Sequence, residues 1–178
     1  MKSLLVYHSH SGLTVLELLI SISILAIILC IALPSFSGLY ASQESQSTIH
    51  HLKTLVQNAK VEARLRQQDV TICPSINGVT CTNHNDWSKG ALLYIDKNRD
   101  KQFNQDDQKI EFTPFVLKHG KLTWHGSLRK NFIIFKSSTG LPQGYIGHFA
   151  YCSSNKEVFY RVTLNMMGHT QHKPINSC

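Results

Sequence analysis

From Leu13 to Leu33 the chain runs through 21 residues whose only charge is Glu17 and whose only other polar members are Thr14, Ser21 and Ser23. As a helix rising about 1.5 Å per residue, this run is roughly 30 Å long, the thickness of a bilayer's hydrocarbon core. It exceeds the apolar region of a secretory signal peptide, about 7 to 15 residues, so the length points to a spanning helix. A simple anchor does not account for Glu17, because a carboxylate four residues into such a span is costly unless something pairs with it. Glu17 is therefore a candidate functional residue.

Pro34 follows the run and removes a backbone donor, so a kink or local melting of the helix is expected there. Beyond it, residues 35–67 read as an amphipathic helix, with Ile49, Leu52, Val56, Ala59 and Ala63 at three- and four-residue steps. His50 and His51 on this helix are read as solvated rather than as ligands. From Asp69 the pattern changes to short β-branched and aromatic runs divided by Gly, Asn, Asp and Pro. Strands are predicted at 70–73, 91–95, 109–113, 121–125, 131–135, 147–152 and 158–165. The fold class is α+β, a long N-terminal helix whose apolar stripe packs on an antiparallel β-sheet domain.

The stretch Ser11-Gly12-Leu13-Thr14-Val15-Leu16-Glu17 resembles the class III signal sequence of type IV pilins and type II secretion pseudopilins. That resemblance implies a leader at 1–12, cut after Gly12 by a prepilin peptidase that also methylates Leu13, a position where most members have Phe. It implies an assembly helix in the inner membrane at 13–34, its amphipathic continuation at 35–67, and a periplasmic β-rich domain at 68–178. It also gives Glu17 a partner, the amino terminus of a neighbouring subunit in the filament, and such pairing removes the objection to a lone carboxylate. Val70 to Pro74, Cys81, and the run Asp86-Trp87-Ser88-Lys89-Gly90 through Asp100 resemble the body of the GspH/FimT group. The resemblance implies the type IV pilin fold and, as partners, major and minor pilins or pseudopilins, with the membrane lipid around the helix.

The same likeness, together with spacing, implies disulfides Cys73–Cys81 and Cys152–Cys178, although four cysteines allow three pairings. Disulfides fit an oxidising periplasm, and a zinc site is poorly matched by these spacings. Cys30, within the apolar run, is read as unpaired. Asp96 to Asp107 resembles a twelve-residue calcium loop, with oxygen-bearing side chains including Asp96, Asn98, Asp100 and Asp107 at ligand positions. It departs from the template in Lys101 at the glycine position and in a final Asp for Glu, and the alternative is a polar turn. No other cofactor is implied.

Lysines and arginines number 18 against 11 acids, and the whole net charge of +7 lies in residues 113–178, where eight cations face the single acid Glu157. An anionic partner for that third follows, and double-stranded DNA is one such partner. The cations placed on loops and tail are Arg129, Lys130, Lys136, His169, His172 and Lys173, and Tyr145, Tyr151 and Tyr160 offer rings that either stack on bases or fill the core. Where the GspH/FimT group has a Gly-Arg-x-Arg segment linked to DNA uptake, this chain reads Gly168-His169-Thr170-Gln171-His172-Lys173, without either arginine. No phosphate loop, nucleophile elbow or zinc-protease helix is present, so no enzymatic activity is expected. The expected function is that of a minor pilin that initiates or caps a type IV pilus and binds DNA weakly, the alternative being a GspH-like pseudopilin of a type II secretion system.

Overall fold

The computed structural model describes residues 14–178, with residues 31–37 and Leu128 described by backbone alone. Gly12 and Leu13 lie outside the described residues. The chain divides into two units, the first ending at Ser37 and the second running from Gly38 to Cys178.

Helix α1 is Val15–Arg66. Its start is a capping box: Glu17 N–H donates to Thr14 Oγ1 at 3.2 Å, and Thr14 N–H donates back to Glu17 Oε2 at 3.1 Å. This reciprocal pair satisfies donors that a helix end leaves open. Ser21 and Ser23 return their hydroxyls to the carbonyls of Glu17 and Leu19, both at 2.7 Å, so neither needs an outside partner. The apolar side chains from Val15 to Leu29 are exposed. Among the described residues no helix is long and apolar enough to cross a membrane. Pro34 lies within α1, and the expected local melting does not occur; losing one donor leaves the flanking turns to hold the helix.

In the second unit α1 buries Ala41, Ser45, Thr48, Ile49, Leu52, Leu55, Val56, Ala59 and Ala63. These recur at three and four residues, as one helix face requires, and His50 and His51 lie exposed. The helix stops at Arg66, and Gln67 takes the left-handed conformation at φ +53° that commonly ends helices.

Eight strands follow: β1 (Val70–Pro74), β2 (Gly90–Ile95), β3 (Gln108–Pro114), β4 (Gly120–Gly126), β5 (Ile133–Phe135), β6 (Gly147–Ser153), β7 (Phe159–Leu164) and β8 (Thr170–Pro174). They form two antiparallel sheets, ordered β3-β2-β1-β5 and β4-β6-β7-β8. The final strand was not expected, and the residues read as a tail are in fact a sheet edge. Asp86 and Thr123 make a bridge between the segment before β2 and β4, and Trp87 N–H donates to Leu122 O at 2.8 Å beside it.

One core lies between the helix stripe and the inner faces of both sheets. At its centre the rings of Trp87 and Trp124 meet Phe149, with centroids 4.9 and 4.5 Å away. Burying each such side chain contributes about 1.5 to 3 kcal/mol. The first sheet has a second apolar cluster on its other side, where Cys73, Leu92 and Tyr94 meet Cys81, Phe103, Phe112 and Phe132. Every residue of β2 is consequently buried.

Candidate functional site

Side chains alternate across a strand. In the second sheet Leu122, Trp124, Phe149, Tyr151, Val162 and Leu164 face the core, which puts Lys121, Thr123, His125, His148, Ala150, Arg161 and Thr163 on the opposite face. The register sets Lys173 of β8 directly opposite Arg161, and His125 opposite His148. The two imidazoles stack with centroids 4.9 Å apart. None of the four strands holds an acid. Asp86 reaches the face at one corner, 3.4 Å from Lys121 Nζ. Partial burial works to raise the Asp86 carboxyl, and its bonds to Ser88 and the charge of Lys121 outweigh this and hold it below the usual range.

Burial, then the charges of Arg161 and His125, push the His148 pKa down. The Arg161 Nε is buried and donates to nothing in the protein. Arg161 lies opposite Lys173 on strands that hold no acid, and cations grouped in this way attract an anion.

Of the six cations named from the sequence, Lys173 is on this face. Arg129 and Lys130 follow β4 around a short 3-10 turn at Ser127–Arg129 and are exposed. Strands β6 and β7 separate β4 from β8, so the two outer strands of the sheet lie roughly 14 Å apart. Lys136 leaves β5 in the other sheet, where its Nζ pairs with Asp69 at 2.8 Å. Partial burial would raise the Asp69 carboxyl, but the Lys136 ammonium and the Ser137 N–H hold it below its ordinary value. His172 points inward, opposite Val162, with Nδ1 3.1 Å from Lys53 Nζ, and His169 sits exposed in the β7–β8 turn.

The tyrosines take core positions instead of stacking platforms. Tyr151 is buried and its hydroxyl donates to Glu44 Oε1 at 2.9 Å, while Tyr145 and Tyr160 pack against the core. Glu44 also accepts the N–H groups of Lys118 at 2.7 Å and His119 at 3.0 Å, which ties α1 to the turn before β4. Burial, then Glu44, raise the Tyr151 phenol. Nothing in the one-dimensional pattern marks Glu44, because its partners lie more than 70 residues away.

The structure joins Cys73 to Cys81 and Cys152 to Cys178, with Cα atoms 5.7 and 6.1 Å apart, and leaves Cys30 free and exposed. The first bridge closes the loop after β1, and the second holds the chain's last residue to β6. Asp96, Asp100 and Asp107 come together at the β2–β3 connection, their carboxylate oxygens within 4.8 Å of one another. Asn98 bonds to Asp100 twice, its Oδ1 accepting the Asp100 N–H at 3.1 Å and its Nδ2 donating to Asp100 Oδ2 at 3.0 Å.

A family model described as type II transport protein GspH matches residues 48–168, which hold the buried stripe of α1 from Thr48 onward, both sheets up to β7 and the turn before β8. The chain belongs to the GspH family. Two crystal forms of the type IV minor pilin FimU of Pseudomonas aeruginosa PAO1 share its fold. One has a TM-score of 0.57 at 18% identity, covering 77% of this chain and 96% of that one. The other has 0.53 at 19%, covering 75% and 98%. No curated protein matches the chain. As a GspH-family member the chain is a minor pilin or pseudopilin, a class that associates with other pilins or pseudopilins in a pilus or pseudopilus.

Proposed function

We propose that this GspH-family chain is a minor pilin of a type IV pilus that helps to initiate or cap the filament and holds double-stranded DNA weakly on the outer face of the second sheet. The observation that carries the DNA reading is the outward row of Lys121, Arg161 and Lys173, with His125 and His148, on four strands that hold no acid. Such a face meets phosphates rather than base edges, which gives sequence-independent and salt-dependent binding. The role is mechanical and not catalytic.

Assembly in this reading begins with the leader in the cytoplasm, cleavage after Gly12 by the prepilin peptidase, and methylation of Leu13. The exposed apolar side chains from Val15 to Leu29 favour a single pass through the inner membrane lipid, then packing among other pilins. Glu17, which caps its own helix in the isolated chain, pairs with a neighbour's amino terminus during that transfer. Two disulfides in the second unit suit a periplasmic location. The fold likeness to the FimU minor pilin supports the pilus, while the type II transport description of the family favours a GspH-like pseudopilin as the second reading.

Mobility shifts of a DNA duplex with the full chain in detergent, at graded salt, test the first reading. Weaker binding and a shallower salt dependence in Arg161→Ala are expected; unchanged affinity refutes the face. Deletion separates the machines, since loss of twitching or transformation marks the pilus and loss of exoprotein secretion with normal pili marks the pseudopilus.

A further inference from the structure

We propose that the connection between β2 and β3 is a calcium site built from Asp96, Asp100 and Asp107. A single ion bonded at about 2.3 to 2.6 Å bridges carboxylate oxygens as far apart as these, which lie within 4.8 Å of one another. The second, separate observation is the state of Asp96. The residue is only 8% exposed, and its Oδ1 is buried without a hydrogen-bond donor. Its Oδ2 accepts the Lys101 N–H at 2.9 Å. A buried carboxylate oxygen without a donor is costly, and two further carboxylates beside it add repulsion. The adjacent cations do not relieve this, for among the described residues neither Lys97, Arg99 nor Lys101 forms an ion pair with any of the three acids. A dication held among the three carboxylates relieves their repulsion and gives the buried Asp96 carboxylate a partner.

The loop conformation agrees with the ligand spacing. Lys101 occupies the position that a twelve-residue calcium loop gives to glycine, and it adopts the left-handed backbone, φ +65°, that the glycine would supply. Asp107 is positioned at the loop's close by the N–H groups of Lys97 at 3.0 Å and Asn104 at 2.9 Å. Phe103 anchors the middle of the loop on Tyr94, with ring centroids 5.3 Å apart. In the same template the carbonyl of Gln102 adds a main-chain ligand and Asn104 a water-mediated one. An all-oxygen set on a loop favours calcium over softer metals, and the number of oxygens that the twelve-residue template offers favours calcium over magnesium, which keeps several waters.

The experiment is equilibrium dialysis of radioactive calcium against the full chain in detergent, with Asp100→Asn and Asp107→Asn alongside. Asp100 is exposed, so its variant keeps the fold, which circular dichroism checks. The expected result is one calcium per chain with a dissociation constant at or below about 1 mM, not displaced by equimolar magnesium, and weakened about tenfold or more in Asp100→Asn. Calcium should also raise the thermal midpoint of the unaltered chain and leave that of Asp100→Asn unmoved. Absence of saturable binding, displacement by magnesium, or equal binding by Asp100→Asn overturns the proposal.

Discussion

The two sheets share one core and differ on their far sides. The first is covered there by Phe103 and Phe132 from its loops, Phe112 of β3 and the Cys73–Cys81 bridge, and even its central strand β2 is wholly buried. The second leaves that side open and lines it with Lys121, His125, His148, Arg161 and Lys173. Covered faces specify packing, whereas an open face of one charge sign specifies what can dock. The contrast makes the first sheet's outer side part of the packed structure, while the second's carries the docking proposed above.

The largest expected effect is on that division. Leu92→Ala, on the covered side, should cost about 2 to 5 kcal/mol in thermal or denaturant unfolding, and Lys173→Ala, on the open side, should stay within about 0.5 kcal/mol. Similar losses in both would break the contrast. Each sheet also carries one disulfide, and replacing either pair by serine should cost about 2 to 4 kcal/mol. The loss should be greater for Cys152–Cys178, which spans 26 residues against 8 for Cys73–Cys81; melting of the two double variants in the same buffer compares them.

Smaller effects sharpen the docking side. Arg161→Ala and Lys173→Ala should each lower the logarithmic salt slope of DNA binding by about 0.9, with a several-fold loss of affinity, while Lys136→Ala leaves the slope unchanged because its ammonium is engaged by Asp69. The smallest is a pH effect at His148. Its folded pKa is depressed by burial, Arg161 and His125, so the unfolded chain takes up the proton first. Its stability contribution is complete above about pH 6.5 and declines as pH falls from there toward the lower folded value. Arg161→Ala should shrink this decline, and bound duplex should shrink it too by favouring the imidazolium; chemical unfolding between pH 5 and 7, with about one unit on either side of the transition, reads both.

Much of this was legible in the residue order because its signals are local. The helix stripe repeats at three and four residues, and seven strands carry β-branched and aromatic runs. Strand β8 escaped because Thr170-Gln171-His172-Lys173-Pro174 has no apolar member to alternate. It is an edge strand whose outward residues are mostly exposed, held by pairing with β7. The basic face escaped for a related reason. A charge count locates cations in the last third, but Arg161 and Lys173 become neighbours only through the antiparallel register of two strands.

The acidic loop stands between these cases. Its ligand spacing is a local pattern, visible in order, while the burial of a donor-free Asp96 Oδ1 exists only in the folded chain.

By itself the sequence determined a long helix with an apolar first half, a β-rich remainder, four cysteines beyond the helix and a charge concentrated at the carboxyl end, because each depends on neighbours within a few residues. The tertiary structure decided which cysteines bond, which lysines are free and which are held by acids, and which cations share a face. Those depend on register and on packing across many tens of residues, where composition carries no record of who meets whom.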